Sequence, residues 1–145
     1  MEFEYKYGLV ASNHFIFKRI CDYISFENTD SFLHEMEVMF MKLNYTNKTV
    51  LDIGCGNGQR TFLFAKNVSN SVLGIDYSPE MIKIADNTLL SKNSEIKNKI
   101  SFKNLDVNLL PEKNYDVIVS CRCIINQPSS HEQKKLIFSL SKCFK

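Results

Sequence analysis

The chain has 145 residues, the size of one ordinary domain, and its 44% hydrophobic and 23% charged residues are typical of a soluble globular protein. Its formal net charge of +2 is spread along the sequence without a basic block, so neither nucleic acid nor a membrane surface is an expected partner. No apolar run approaches the length of a membrane span, and the first residues, MEFEYKYG, do not form a signal segment. We therefore expect a cytoplasmic location.

The five cysteines, at positions 21, 55, 121, 123 and 143, form no C-x-x-C pair. Their odd number and scattered spacing fit neither a disulfide framework nor a zinc site. We expect reduced thiols and no bound metal.

Two helices are predicted ahead of residue 49. Ile16, Ile20 and Ile24 recur at helical spacing and predict a helix from about Asn13. Apolar residues in a three-four rhythm after the polar link ENTDS predict a second helix, at Phe32, Met36, Met39 and Leu43. We interpret residues 1–48 as an N-terminal helical cap or lid that forms one compact unit with a half-domain at residues 49–145.

The stretch TVLDIGCGNGQRTFLFAK, from Thr49 to Lys66, predicts a strand, a tight loop and a helix in that order. TVLDI is short, apolar and β-branched without polar alternation, as in a strand buried on both faces. Gly54, Gly56 and Gly58 then indicate positive φ angles or a close approach of backbone to a ligand, because glycine has no Cβ. This order directs backbone N–H groups and the positive end of a helix dipole to one place. The pattern predicts a cradle for a nucleotide-type cofactor.

Strands and helices alternate beyond the loop. SVLGIDY at 71–77 is predicted to be a second buried strand, and Ser78 with Pro79 provides the cap and first position of a helix. The apolar face of that helix carries Ile82, Ala85 and Leu89. Further strands are predicted at 99–106 and 115–121.

The last predicted helix has two possible starts. Either Ser129 with Glu132 or Ser130 with Gln133 forms a capping box. The helix then carries three apolar residues, Ile137, Leu140 and Phe144. Alternation of strands and helices along the chain predicts an α/β fold with a doubly wound parallel sheet.

The glycine spacing distinguishes two kinds of cofactor. A dinucleotide-binding fingerprint needs its third glycine three residues after the second, and that position is Gln59. VLDIGCGNG instead resembles the first motif of class I S-adenosylmethionine (SAM)-dependent methyltransferases. GIDYSPEMIKIA, NLDV and YDVIVSCR resemble the second, third and fourth motifs, in the family's order, over residues 49–122. The resemblance implies a Rossmann-like fold with SAM as cofactor, so that residues 49–145 form the SAM-binding half-domain.

The resemblance also implies roles for the residues of the first motif. Gly54, Gly56 and Gly58 are expected to let the loop pass beneath the methionine part of SAM. Asp52 is expected beside the amino group of that part, and Cys55 is included among the cofactor-binding residues. The alternative is that Asp52 only accepts hydrogen bonds from backbone N–H groups of the loop.

The second and third motifs are expected to bind the adenosine part. Asp76 is placed like the family's acid that accepts hydrogen bonds from both ribose hydroxyls, although it could also simply begin the turn before the next helix. Tyr77 and Met81 are expected to pack against the adenine. Asp106 and the N–H of Val107 are expected at the adenine amino group.

The fourth motif is expected to face the acceptor. Many amino-group and nucleic-acid methylases of the family carry Asn/Asp-Pro-Pro-aromatic after the fourth strand, and CRCI stands here instead, which favours a small-molecule acceptor. Cys121 is included among the cofactor-binding residues. Arg122 is the candidate catalytic residue, because its guanidinium could hold a carboxylate or phosphate of the acceptor, and a surface or ion-paired arginine is the alternative. Asp116, at the start of the strand, is interpreted as structural.

The family's sheet has seven strands, and the predicted elements account for four of them. We expect a methyltransferase shortened after the fourth strand, whose open edge is covered by a second copy of the chain or by a missing C-terminal half. The alternative function is a truncated or non-catalytic SAM-binding module that requires a partner or a missing C-terminal half.

Overall fold

The computed structural model describes the chain at residues 9–12, 15–18, 47–67, 70–110, 114–120, 123–124 and 126–143. Within these ranges the strands are β1 (Leu9–Ser12), β2 (Phe15–Lys18), β3 (Thr49–Ile53), β4 (Ser71–Asp76), β5 (Ile100–Asn104) and β6 (Val117–Ser120). The α-helices are α1 (Gln59–Asn67), α2 (Pro79–Leu90), α3 (Ser94–Lys99) and α4 (Ser130–Ser141), and a 3-10 helix (Val107–Leu109) follows β5.

Strands β3 to β6 form a parallel sheet in the order β5-β4-β3-β6. β3 pairs on one side with β4, with Thr49 beside Ser71, and on the other side with β6, with Val50 beside Val117. The chain therefore moves outward from β3 through β4 to β5 and then crosses to the other side of β3. This is the predicted doubly wound α/β fold, in which ligands bind at the carboxyl ends of the strands where the order reverses.

Each face of the sheet has its own apolar core. On one face α1 supplies Phe62 and Phe64, and on the other α4 supplies Leu136 and Leu140. β3 contributes to both cores because successive side chains point to opposite faces. Burial on both faces explains the continuous apolar character of these strands. In α4 the buried position is Leu136, whereas the predicted Ile137 is half-buried.

Two serines begin helices at the predicted places. Ser78 caps α2 by accepting a 3.3 Å hydrogen bond from the N–H of Met81, and Pro79 is the first helical residue. Ser129 caps α4 by accepting a 3.2 Å hydrogen bond from the N–H of Glu132, which decides between the two predicted starts. None of the helices in the described part of the chain has the length and apolarity needed to cross a membrane.

The helix predicted from about Asn13 is wrong for residues 15–18, which form β2. β1 and β2 pair as an antiparallel hairpin, with Ser12 beside Phe15. The aromatic and β-branched run FIFK favours a strand, and two residues between paired strands match the shortest hairpin connection. β2 comes near the edge strand β6 but belongs to a separate sheet. The second predicted helix, at Phe32–Leu43, lies outside the described residues.

Helix α3 was not predicted, and β5 is shorter than the predicted strand at 99–106. Asn93 caps α3 by accepting a 3.0 Å hydrogen bond from the N–H of Ile96, and Lys99 pairs with Glu95 at 2.8 Å. None of the α3 residues is buried. Ile96 packs, half-buried, against the core of the α1 face, and a single apolar contact does not produce the apolar stripe by which a helix is predicted from sequence.

Candidate functional site

The glycine loop connects β3 to α1. Gly54, Gly56 and Gly58 have φ angles of +70°, +55° and +81°, in the left-handed region that favours glycine. The N–H groups of Gly54 and Cys55 both donate to the carbonyl of Ile75, at 2.8 and 3.0 Å. The loop is therefore curved as its glycines predicted, and these two hydrogen bonds hold it against the end of β4.

The three glycines have different surroundings. A Cβ at Gly54 would lie 2.8 Å from the Cβ of Cys123, and a Cβ at Gly58 would lie 2.6 Å from Cζ of Phe102. A Cβ at Gly56 would have no atom of the described residues within 4 Å. Gly54 and Gly58 are thus required by packing within the protein, whereas Gly56 borders space that none of the described side chains fills. The predicted contact of this loop with the methionine part of SAM stays a prediction, and Gly56 is the glycine with room for it.

Asp52 lies near the end of β3 and is only 2% exposed. Its Oδ2 accepts a 2.7 Å hydrogen bond from the hydroxyl of Thr61, a fully buried residue of α1. Burial raises the pKa of Asp52 to about 6 because desolvation disfavours the carboxylate; the Thr61 hydrogen bond and the Arg60 charge oppose this shift, and the Asp76 charge adds to it. A buried carboxylate beside an open loop suits a cationic ligand group.

Asp76 ends β4 and connects three parts of the site. Its Oδ2 accepts a 2.8 Å hydrogen bond from the N–H of Gly56, and its Oδ1 accepts a 2.9 Å bond from the N–H of Ser78. From β5, Nδ2 of Asn104 donates to the backbone carbonyls of Asp76 and Tyr77, at 3.0 and 2.7 Å. Asp76 does begin the turn before α2, and each carboxylate oxygen still has a lone pair for a hydroxyl donor. Its predicted contact with the ribose remains a prediction that this geometry allows.

The predicted adenine neighbours come after the ends of β4 and β5. Tyr77 is 80% exposed and Met81 is 43% exposed, so both present apolar surface to solvent. Asp106 caps the 3-10 helix and accepts 2.8 and 2.9 Å hydrogen bonds from the N–H and Nδ2 of Asn108. Val107 is half-buried against the core on the α4 face. The roles of these four residues at the adenine remain predictions.

Two of the cysteines lie at the loop. Burial raises the pKa of both thiols, that of Cys123 to about 11, so both are neutral at physiological pH. The charges of Asp76, Asp52 and Asp106 also raise the pKa of Cys123. The three predicted acids therefore lie around the same point at the carboxyl ends of β3, β4 and β5. Cys55 and Cys123 are free thiols.

The remaining predicted residues divide into two groups. Asp116 is structural, as predicted, because its Oδ2 accepts 2.7 Å hydrogen bonds from both the N–H and the hydroxyl of Thr49. Cys121 and Arg122 lie outside the described residues, so their predicted roles stay predictions. The described part of the chain contains no group of three or more His, Cys, Asp or Glu residues that could hold a metal ion.

Three residues of the site were missed in the sequence. Thr61 could have been found as a polar residue on the otherwise apolar face of the helix that carries Phe64 and Ala65. Asn104 is the last residue of β5, and its side chain donates hydrogen bonds to the backbone of the turn that Asp76 begins. Nothing in its sequence context distinguishes it from any other polar residue at the end of a strand. Phe102 lies under Gly58 and Gly74, and only the three-dimensional structure brings these residues together.

Comparison with known proteins agrees with this arrangement. Residues 44–145 match a family model described as a methyltransferase domain. The chain is 36% identical over 128 residues to "Putative methyltransferase 235L" of Invertebrate iridescent virus 6, which covers 84% of this chain and 42% of the viral protein. It is 32% identical over 123 residues to a demethylmenaquinone methyltransferase of Lactococcus lactis, covering 82% of this chain and 47% of that protein.

A solved structure has the same fold. The magnesium protoporphyrin IX methyltransferase of Synechocystis PCC 6803, crystallised with bound SAM, superposes with a TM-score of 0.68 at 21% identity, covering 86% of this chain and 62% of that one. The chain spans less than half the length of either relative above. The family model, the relatives and the glycine loop with its three acids together place the chain in the class I SAM-dependent methyltransferases.

Proposed function

We propose that this chain binds SAM and transfers its methyl group to a small-molecule acceptor. The observation that carries the proposal is the contact between Gly56 and Asp76, in which a loop N–H bordering open space donates to a carboxylate at the end of the neighbouring strand. A backbone that a ligand can approach and an acid that accepts hydroxyl donors therefore lie side by side. They lie where open α/β sheets bind nucleotide-type ligands.

Family membership makes SAM the cofactor, and the chain offers a partner for each of its parts. Asp52 is proposed to face the α-ammonium group, Asp76 the ribose hydroxyls, and Tyr77 with Met81 the adenine ring. SAM supplies a methyl group on a positively charged sulfur: an acceptor lone pair forms the new bond to carbon, the electrons of the broken carbon–sulfur bond stay on sulfur, and any acceptor proton passes to water. The protein's contribution is alignment, which can supply several kcal/mol of the barrier.

Three features support a small-molecule acceptor. The net charge of +2 provides no basic surface of the kind that nucleic acids need. The sequence after β6 lacks the Pro-Pro-aromatic motif of amino-group and nucleic-acid methylases. The matched relative from Lactococcus lactis is named as a demethylmenaquinone methyltransferase.

The cofactor is tested by calorimetric titration of the full chain with S-adenosylhomocysteine (SAH), the stable product of methyl transfer, and separately with NAD. We expect binding of SAH at one site and no binding of NAD, because Gln59 stands where the dinucleotide fingerprint needs glycine. Preference for NAD would contradict the proposal. Turnover with SAM is then screened against small metabolites, and binding without turnover by the complete natural protein would favour the non-catalytic alternative.

Arg122 is proposed to hold an acidic group of the acceptor, because it is the second residue after the end of β6 in the sequence. Arg122→Ala should leave SAH affinity unchanged and lower turnover or acceptor affinity. Arg60→Ala is the variant for comparison, because the charge of Arg60 acts on Asp52, a proposed cofactor-binding residue, and not on the proposed acceptor site. Loss of SAH affinity in Arg122→Ala would contradict an acceptor role.

The location and the partners are part of the same proposal. The free thiols Cys55, Cys123 and Cys143 support a reducing, cytoplasmic environment. β6 is an edge strand of its sheet, and an apolar edge strand is ordinarily paired or covered, so we also propose that a second copy of the chain or a further part of a longer protein pairs with this edge. Light scattering that shows a stable monomer of this chain alone would contradict that covering.

A further inference from the structure

We propose that Thr61 is a positioning residue for cofactor binding, whose hydroxyl holds the Asp52 carboxylate in the ionised form that pairs with the α-ammonium group of the cofactor. The inference rests on the proposed function and extends it to a residue that does not touch the ligand itself. Thr61 acts through Asp52, and its effect should appear as a pH dependence of cofactor affinity.

The geometry connects Thr61 to one oxygen of Asp52 and leaves the other available. The hydroxyl of Thr61 donates to Oδ2 at 2.7 Å, and both residues are almost completely buried. Oδ1 accepts no hydrogen bond from the described residues, so it is the oxygen left for the ammonium group of the ligand. A short helix–strand hydrogen bond between two buried groups fixes the rotamer of Asp52, because neither group can exchange its partner for water.

The charges around Asp52 come from two elements. Arg60 of α1 stabilises the carboxylate, whereas Asp76 of β4 destabilises it. The neighbouring thiols Cys55 and Cys123 stay neutral, since burial raises the pKa of each. Desolvation is the largest influence and raises the pKa of Asp52 to about 6, and the Thr61 hydrogen bond is the strongest influence in the opposite direction. Removing the hydroxyl should therefore raise the pKa further toward neutrality.

The sign of the effect on binding follows from the charge of the ligand. The α-ammonium group is attracted by the ionised carboxylate and not by the neutral acid, so affinity is full above the pKa of Asp52 and falls as the pH drops through it. With a pKa of about 6, the ionised fraction falls about tenfold between pH 7 and pH 5. Loss of the Thr61 hydroxyl should shift this fall to higher pH.

The experiment is calorimetric titration of the full chain with SAH from pH 5 to pH 8.5, for wild type, Thr61→Val and Thr61→Ser. Valine keeps the buried shape without the hydroxyl, and serine keeps the hydroxyl. We expect wild-type affinity to fall about tenfold from pH 7 to pH 5. Thr61→Val should bind several-fold more weakly at pH 7 yet approach wild type at pH 8.5, and Thr61→Ser should follow the wild-type profile.

A second ligand isolates the charge. 5′-Methylthioadenosine has the adenosine part of SAH but no amino-acid group, so its affinity should not show the fall between pH 7 and pH 5. Parallel SAH profiles for wild type and Thr61→Val would overturn this inference alone, because a merely structural role weakens binding equally at every pH. Failure of the wild type to bind SAH at any pH would instead overturn the proposed function, and this inference with it.

Discussion

The Asp76 carboxylate, at the end of β4, accepts a 2.8 Å hydrogen bond from the N–H of Gly56. This contact joins the second motif of the family to the first, because the same acid that is proposed to hold the ribose also fixes the middle of the glycine loop. Ser78 occupies the other carboxylate oxygen with its N–H at 2.9 Å. The proposed ribose and methionine parts of the site are therefore both in contact with one side chain.

Replacement of Asp76 should weaken cofactor binding in two steps. Asp76→Asn keeps one acceptor oxygen and loses the second, so SAH affinity should fall; Asp76→Ala removes both and should lose roughly 1–3 kcal/mol. Calorimetric titration measures both variants, with Glu95→Gln, at an exposed acid of α3, as the control that keeps wild-type affinity. Equal affinity of Asp76→Ala and wild type would contradict the placement of the ribose.

The glycines of the loop should separate into a binding position and a packing position. Gly56→Ala places a methyl group on the open side of the loop and should abolish most SAH binding, with a loss of folding stability of about 1–2 kcal/mol from its positive φ. Gly58→Ala has the same conformational cost, and its Cβ also meets the ring of Phe102 at 2.6 Å, so its stability should fall by a further 1–3 kcal/mol or so. Urea unfolding and SAH titration measured on both proteins give the comparison. Equal effects of the two substitutions on both quantities would be inconsistent with these environments.

Phe102 should be energetically coupled to Gly74. A Cβ at Gly74 would lie 2.7 Å from Cδ1 of Phe102, whose ring also packs edge-on against Phe62 with centroids 5.7 Å apart. Gly74→Ala should lower the free energy of unfolding by about 1–3 kcal/mol through overpacking. Combined with Phe102→Leu it should cost at least roughly 0.5 kcal/mol less than the sum of the two single changes. Urea unfolding of the four proteins measures this coupling, and additive effects would show that the ring has room to move.

The stability of the ligand-free chain should depend on the protonation of Asp52. Its pKa is raised from 3.8 to about 6 by burial, so the native state binds this proton more tightly than the unfolded state. The stability that this proton contributes is therefore present at low pH and is lost as the pH rises from 3.8 to about 6. Asp52→Asn keeps an acceptor for Thr61 without a charge and should stabilise the ligand-free chain by up to about 3 kcal/mol at pH 8, and much less at pH 4. Thermal unfolding at the two pH values measures the difference, and a stabilisation independent of pH would contradict the raised pKa.

Much of the Rossmann-like part could be predicted from local sequence. The apolar runs of β3, β4 and β6 have no polar alternation because both faces of the sheet are covered, and serine caps with a following proline or glutamate mark the starts of α2 and α4. The glycine spacing identified the loop because positive φ angles exclude most other residues there. These signals are strong because each depends on neighbours in the sequence.

The errors concern features that depend on distant residues or on weak local patterns. The isoleucines from Ile16 onward fit a helical period, yet residues 15–18 pair as a strand with residues 9–12. The hydrogen bonds between these two strands determine the conformation here, despite the helical spacing of the isoleucines. Phe102 explains Gly58 and Gly74, and Cys123 explains Gly54, but in sequence each pair is separated by at least two helices. Thr61 was not predicted as a site residue, because a threonine in a helix indicates no particular role in sequence. Its role becomes visible only when the structure shows that Asp52 is buried beside it and accepts its hydrogen bond.

The contact between Thr49 and Asp116 has a consequence for the order of folding. It spans 67 positions, and it anchors β6 to β3, whereas β3 and β4 are joined through the short helix α1 alone. Closing a long stretch of chain before any contact forms is entropically unfavourable and slows assembly. We expect β3, α1 and β4 to form the folding nucleus and β6 to pair with β3 late. β3, which is an inner strand of the native sheet, is then an edge strand at an intermediate stage of folding. Substitutions at Thr49 or Asp116 should therefore speed unfolding more than they slow folding.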